Sequence, residues 1–158
     1  MSRFEIRPIP RQATAVVAVR SSLADISDSM GEALQKAFRA LAESGVEPAG
    51  PPFARYFSME EPIEYEAGVP VAAPFPGGSE VKSGDIGGIE AAVGMHVGPY
   101  DTLAQTYAAM TEWVTTQGRT VAGPMWETYL TDPTIEPDPQ RWQTEIFMPV
   151  TRGPAGRS

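Results

Sequence analysis

The sequence predicts an α+β domain: two strand–helix–strand–strand repeats related by a pseudo-twofold axis, an antiparallel sheet with helices on one face and a ligand groove on the other. Three observations lead there. The 15 glycines and 16 prolines cluster at 47–52, 70–78, 84–88 and 132–139, dividing the chain into short elements. Only two segments carry helical spacing. A pattern in the first half, Gly45, Gly50-Pro51 and Tyr56, returns 73 residues later as Gly118, Gly123-Pro124 and Tyr129. The strand that follows also ends alike, with Glu66 and Pro70-Val71 answered by Glu145 and Pro149-Val150. A unit this small cannot bury its sheet alone, so two copies are expected to pair and to leave a concave face suited to a small molecule. The expected organisation is a single domain over 1–150, with repeats at 4–72 and 89–150, a linker at 73–88 and a disordered tail at 151–158.

In chain order, apolar alternation predicts strands at Phe4–Ile9 and Thr14–Arg20. Ile26, Met30, Leu34, Ala37, Phe38 and Leu41 then recur at three- and four-residue spacing, with Ser22 and Asp25 as the N-terminal cap and Gly45 as the stop. Strands follow at Phe53–Phe57, Ile63–Val71 and Ile89–Val97. The second helix carries Leu103, Tyr107, Met110, Trp113 and Val114, opens after Pro99 and stops at Gly118. Strands at Met125–Leu130 and Arg141–Val150 complete the second repeat.

Composition removes several function classes. The 158 residues include no cysteine, which excludes disulfide scaffolds, thiolate metal sites and cysteine nucleophiles. His96 is the one histidine, so a multi-histidine metal centre is excluded, and at a strand end it is most simply structural. Neither a metal nor a cofactor is expected. The 20 acidic and 12 basic side chains give a net charge of −8, which disfavours nucleic acid and anionic lipid and favours a cationic partner. No stretch has membrane-spanning length and residues 1–20 lack a signal-peptide core, so a cytoplasmic protein is expected.

Strand alternation selects the candidate site residues. Met125, Glu127 and Tyr129 share one side of their strand, as Ala54 and Tyr56 do in the first repeat. Trp126 and Leu130, with Phe53 and Phe57, are bulkier and are assigned to the helix-packed core, although Arg55 fits that face poorly. Glu127, Tyr56 and Tyr129 are thereby assigned to the groove. Ala54 replaces Glu127 in the first repeat, so the charge belongs to one half, as a ligand-specific group would. An exposed strand charge, or one paired with Arg141, explains Glu127 equally well. Trp142, with Tyr100, Tyr107 and Trp113 on or near the second helix, supplies the aromatic faces that bind a lipophilic cation. Core packing is the simpler account of Tyr107 and Trp113. Glu145 reads either as a second groove carboxylate or as a solvated edge charge.

The stretch His96-Val97-Gly98-Pro99-Tyr100-Asp101-Thr102-Leu103, with Gly123–Pro133, Trp142–Ile146 and Pro149-Val150, resembles the GyrI-like small-molecule-binding domain. This is also the effector domain of AraC- and MerR-type multidrug regulators. The likeness runs from about Phe4 to Val150 and includes Gly50–Tyr56, but is poor between Val71 and Ile89. It implies the paired-repeat fold and a groove that captures hydrophobic, often cationic, aromatic compounds. It also implies that Glu127 meets the ligand's charge and that Trp142 forms a pocket wall, with Tyr56, Tyr107 and Tyr129 as further lining. The expected function is a stand-alone multidrug-type binding protein without direct nucleic-acid binding, because Phe4–Arg20 already belongs to the first repeat. Two alternatives accompany it. Some relatives are similar to hydrolases of cyclopropane-containing toxins, for which Glu127 or Glu145 is the candidate catalytic acid or base. Others resemble gyrase inhibitors, for which the partner is a protein.

Overall fold

Both helices form where apolar spacing places them, and their ends follow local chemistry. A computed structural model of the chain describes residues 4–58, 60–78, 80–132 and 135–151. The expected tail therefore falls outside the described residues beyond Thr151. Two compact units are present, one of Pro10–Gly88 and one combining the first strand with the residues from Ile89 onward.

In the Pro10–Gly88 unit, β2 (Gln12–Ser21), β3 (Phe53–Ser58), β4 (Ile63–Pro70) and β5 (Lys82–Ile86) form antiparallel pairs in the order β3-β4-β2-β5. Helix α1 (Ile26–Ser44) packs on β2 and β4. Ser22 Oγ accepts the Asp25 N–H at 3.1 Å and closes the turn ahead of α1. Gly45 ends the helix with φ of 70°, a left-handed geometry that glycine adopts without a Cβ penalty. The buried row is Ala33, Ala37 and Leu41, with Phe38 42% exposed, so the apolar stripe is turned about one position from the expected one. Small alanines let α1 lie close to the sheet, and Phe38 is left on the flank. Gly68 marks an equally close approach between strands, since a Cβ there would stand 2.1 Å from the Ala15 carbonyl oxygen of β2.

In the second unit, β1 (Phe4–Ile9), β6 (Ile89–Val97), β7 (Met125–Tyr129) and β8 (Gln143–Pro149) pair antiparallel in the order β1-β6-β8-β7. Helix α2 (Leu103–Thr116) follows a 3₁₀ turn at Tyr100–Thr102 and packs on β6. Phe4, Ala92, Met110, Val114, Ile146, Met148 and Val150 form the core beneath it. The order β-α-β-β thus occurs twice, as β2-α1-β3-β4 and β6-α2-β7-β8.

Two expectations need correction. Strand β1, expected in the first repeat, pairs with β6, residue Phe4 opposite Gly94. Strand β5 lies within the stretch read as linker and pairs with β2, with Arg11 bound to Asp85. Its Lys82, Gly84 and Asp85 carry little apolar alternation, as suits an edge strand protected by charge. Among the described residues no helix is long and apolar enough to cross a membrane.

Candidate functional site

Ladder register decides which way Glu127 points. On β7, Glu127 stands opposite Ile146 and Tyr129 opposite Thr144, while Trp126 stands opposite Phe147. Ile146 and Met148 belong to the core under α2, so Met125, Glu127 and Tyr129 face α2. This overturns the assignment of Glu127 to the face opposite the helix. Bulk was the misleading cue: Trp126 stacks on Phe147 at 5.0 Å on the far side of the sheet. The Pro10–Gly88 unit obeys the same rule. Tyr65, opposite Tyr56, reaches Ser29 of α1 with its hydroxyl, whereas Arg55 binds Glu66 on the other face and Phe57 is 52% exposed. The poor fit of Arg55 to a helix-packed face is thereby explained.

Glu127 is 5% exposed. Its Oε2 accepts the Tyr107 hydroxyl at 2.5 Å and its Oε1 accepts the Tyr129 hydroxyl at 2.8 Å. Tyr107 comes from α2, one residue after the buried Thr106, and Tyr129 from the same face of β7 two residues on. A buried carboxylate is costly unless its oxygens are bonded, and two hydroxyl donors meet that need without adding a positive charge. The aromatic wall extends outward from Tyr129. Its ring meets Tyr100 edge-on at 6.0 Å, and Tyr100 packs on Trp142 at 4.9 Å. Trp142 is fixed in turn by its Nε1–H, which donates to the Glu136 carbonyl at 2.9 Å.

Partial burial, with the negative charges of Glu127 and Asp132 adding to it, pushes the Tyr100 hydroxyl above the ordinary tyrosine value. The folded value lies above the unfolded one, so the contribution to stability is whole below the unfolded pKa and is lost as pH rises through the folded one. Urea unfolding of wild type between about pH 9 and 11 should show an alkaline loss that is smaller in Tyr100→Phe.

His96 holds this wall in place. It is buried, its Nδ1 lies 2.7 Å from Thr106 Oγ1, and its Nε2–H donates to the Pro99 carbonyl at 3.0 Å. Both ends of the Pro99–Thr106 segment, which contains Tyr100, are thus tied to one ring. The structural reading of this histidine agrees with that bonding. His96→Phe should cost about 1–3 kcal/mol in a urea titration, because the buried Thr106 hydroxyl loses its partner, whereas the Pro99 carbonyl keeps the Thr102 hydroxyl and N–H as donors.

Of the other candidates, Tyr56 belongs to the Pro10–Gly88 unit, where its ring lies 5.6 Å from Tyr65. Glu145 stands opposite Thr128 and Met95, on the face away from Glu127, and is 3.7 Å from Arg7 of β1. The two catalytic candidates therefore do not share a face. Arg141, the alternative partner for Glu127, approaches Asp138 at 3.8 Å. Trp113 packs against Phe4 in the core. Tyr100 is the site member that sequence patterning mentions without selecting, since a single aromatic after Gly98-Pro99 carries no periodic signal.

The sequence pattern of the GyrI-like small molecule binding domain matches residues 58–151, more than half of the chain. The chain belongs to this family. No curated protein matches it at a significant level. Among solved structures, the GyrI-like chain is similar to the EcmrR C-terminal domain, with 22% identity over 94% of this chain and 96% of that one and a TM-score of 0.77. Against EcmrR in its DNA complex the TM-score is 0.81 at 21% identity; the match covers 93% of this chain and 56% of that one, so the chain spans little more than half of EcmrR's length. SAV2435, solved bound to tetraphenylphosphonium, matches at 11% identity with a TM-score of 0.62, over 96% of this chain and 95% of its own. A hydrolase from Listeria innocua matches at 18% identity with a TM-score of 0.67, over 94% and 92%. At these identities the likeness shows a shared fold.

Proposed function

We propose that this GyrI-like chain captures hydrophobic, cationic aromatic small molecules, with Glu127 as the counter-charge and Tyr100, Tyr107, Tyr129 and Trp142 as the surrounding aromatic surface. The observation that carries this reading is a 5% exposed carboxylate whose two oxygens are held by tyrosine hydroxyls. A hydroxyl is a donor that a cation can replace at modest cost, and the carboxylate is already desolvated before the ligand arrives. Each aromatic ring that a desolvated cation meets adds roughly 0.5–2 kcal/mol. The net charge of −8 favours approach of the same ligand class. SAV2435, which shares the fold, was solved with such a cation bound. Titration of a rhodamine-type dye, followed by the rise in dye anisotropy, should give saturable binding to wild type and much weaker binding to Glu127→Ala. Equal affinity for both proteins would contradict the role given to Glu127.

A second reading is hydrolysis of cyclopropane-containing alkylating toxins, and the pairing of the buried Glu127 carboxylate with the Tyr107 hydroxyl favours it. In that reaction water's oxygen bonds to a strained ring carbon and a ring C–C bond breaks. Glu127 takes the water's proton, and Tyr107 returns one to the departing electron pair. Incubation of the toxin with the protein should then yield a product heavier by one water in the mass spectrum, and none with Glu127→Gln. Unchanged toxin at high protein concentration would remove this reading.

A further inference from the structure

Among the described residues, two buried side-chain oxygens have no hydrogen-bond partner, Thr14 Oγ1 and Thr144 Oγ1. Such a hydroxyl destabilises the fold that buries it. Thr14 lies on β2 in the Pro10–Gly88 unit. Thr144 lies on β8, opposite Tyr129 on one side and His96 on the other, one ladder step from Glu127 and on the same α2-facing side. The corresponding place in the other unit is Tyr65, opposite Tyr56, and its hydroxyl is bonded to Ser29 of α1 at 2.7 Å. The repeated frame therefore accommodates a satisfied hydroxyl at this ladder position. The unit that has the carboxylate keeps an unsatisfied one instead.

Resting on the reading of Glu127 as the cation site, we infer that Thr144 is a specificity-determining residue whose hydroxyl donates to an oxygen carried by the bound cation. Diagonal neighbours across an antiparallel pair stand about 7–8 Å apart, so the ligand class is an aromatic cation with a carbonyl or ether oxygen at about that distance from its charge. Thr144 is fully buried in the free protein. Tyr129 stands directly opposite it, and the Tyr129 hydroxyl is bonded to Glu127 Oε1. A cation that takes the place of that hydroxyl at Glu127 would move the ring opposite Thr144 and open the way to its hydroxyl.

The test compares tetraphenylphosphonium, which has a charge and no acceptor, with its analogue bearing one para-acetyl group, whose carbonyl oxygen lies at about the required distance from phosphorus. Affinities are measured by calorimetry for wild type, Thr144→Val and Thr14→Val, together with their urea midpoints. Both valine variants should unfold at higher urea than wild type, because an isosteric methyl replaces an unpartnered hydroxyl. Thr144→Val should lose about fivefold or more in affinity for the acetyl cation while holding tetraphenylphosphonium within about twofold. Thr14→Val should bind both as wild type does. Unchanged affinity of Thr144→Val for the acetyl cation, or an equal loss for both cations, overturns the assignment of Thr144 and leaves the cation site standing. Failure of wild type to bind either cation overturns the cation site and the role of Thr144 together.

Discussion

Glu127→Gln is expected to lower the affinity for a monovalent aromatic cation by about 10- to 100-fold while leaving the protein folded. Glutamine keeps the size and one acceptor oxygen, so the Tyr107 and Tyr129 hydroxyls retain partners, the second of them as acceptor from the amide. Only the charge is removed. Opposite charges about 4 Å apart attract by roughly 4 kcal/mol at the effective dielectric near a protein surface. Desolvation of the ligand offsets part of this, which leaves about 1.4–2.8 kcal/mol in the measured affinity. The urea midpoint should stay level or rise, since a buried carboxylate is replaced by a neutral amide. A variant that lost affinity and stability together would instead assign Glu127 a structural task.

The largest effect on folding is expected from Gly68→Ala, at about 3 kcal/mol or more. Its new methyl would stand 2.1 Å from the Ala15 carbonyl oxygen and 2.9 Å from Val16 Cα, both of them backbone atoms of the neighbouring strand. A side chain in the way can turn aside, but a paired strand cannot. Strands β2 and β4 would have to separate at Ala15 and Val69, which are both fully buried. Gly31→Ala is the matched control, because a Cβ on that exposed position of α1 meets nothing within 4 Å. There alanine should stabilise by about 0.5–1 kcal/mol through helix propensity. Urea titrations of the two variants should move in opposite directions.

Much of the architecture is legible in the chain because glycine and apolar spacing act locally. Gly45 and Gly118 both take positive φ, at 70° and 73°, where the sequence places helix stops. The partner of β1 is not legible, because alternation shows that Phe4–Ile9 is a strand and says nothing of which edge receives it. The missed strand β5 has the same origin: a polar edge carries almost no apolar signal. For the site, Glu127 stands out as a lone acid mid-strand that its repeat replaces with Ala54. Which face it occupies depends on where α2 lands, and alternation alone supplies two faces without saying which is covered. Bulk pointed to Trp126, yet register with Ile146 places the acid under the helix. Tyr107 counts in sequence as core stripe and in the structure as both core neighbour and carboxylate donor. Thr144 is invisible to patterning, because an unpartnered hydroxyl exists only once the fold has closed round it.

Selection for positive charge through Glu127 is the property on which the proposed function stands. It is tested most directly by the affinities of tetraphenylphosphonium and neutral triphenylphosphine for wild type and Glu127→Gln, taken as one thermodynamic cycle. Wild type should prefer the cation strongly, and Glu127→Gln should lose most of that preference while binding the neutral compound about as wild type does. A preference for the cation that survives intact in Glu127→Gln would show that Glu127 is not the counter-charge.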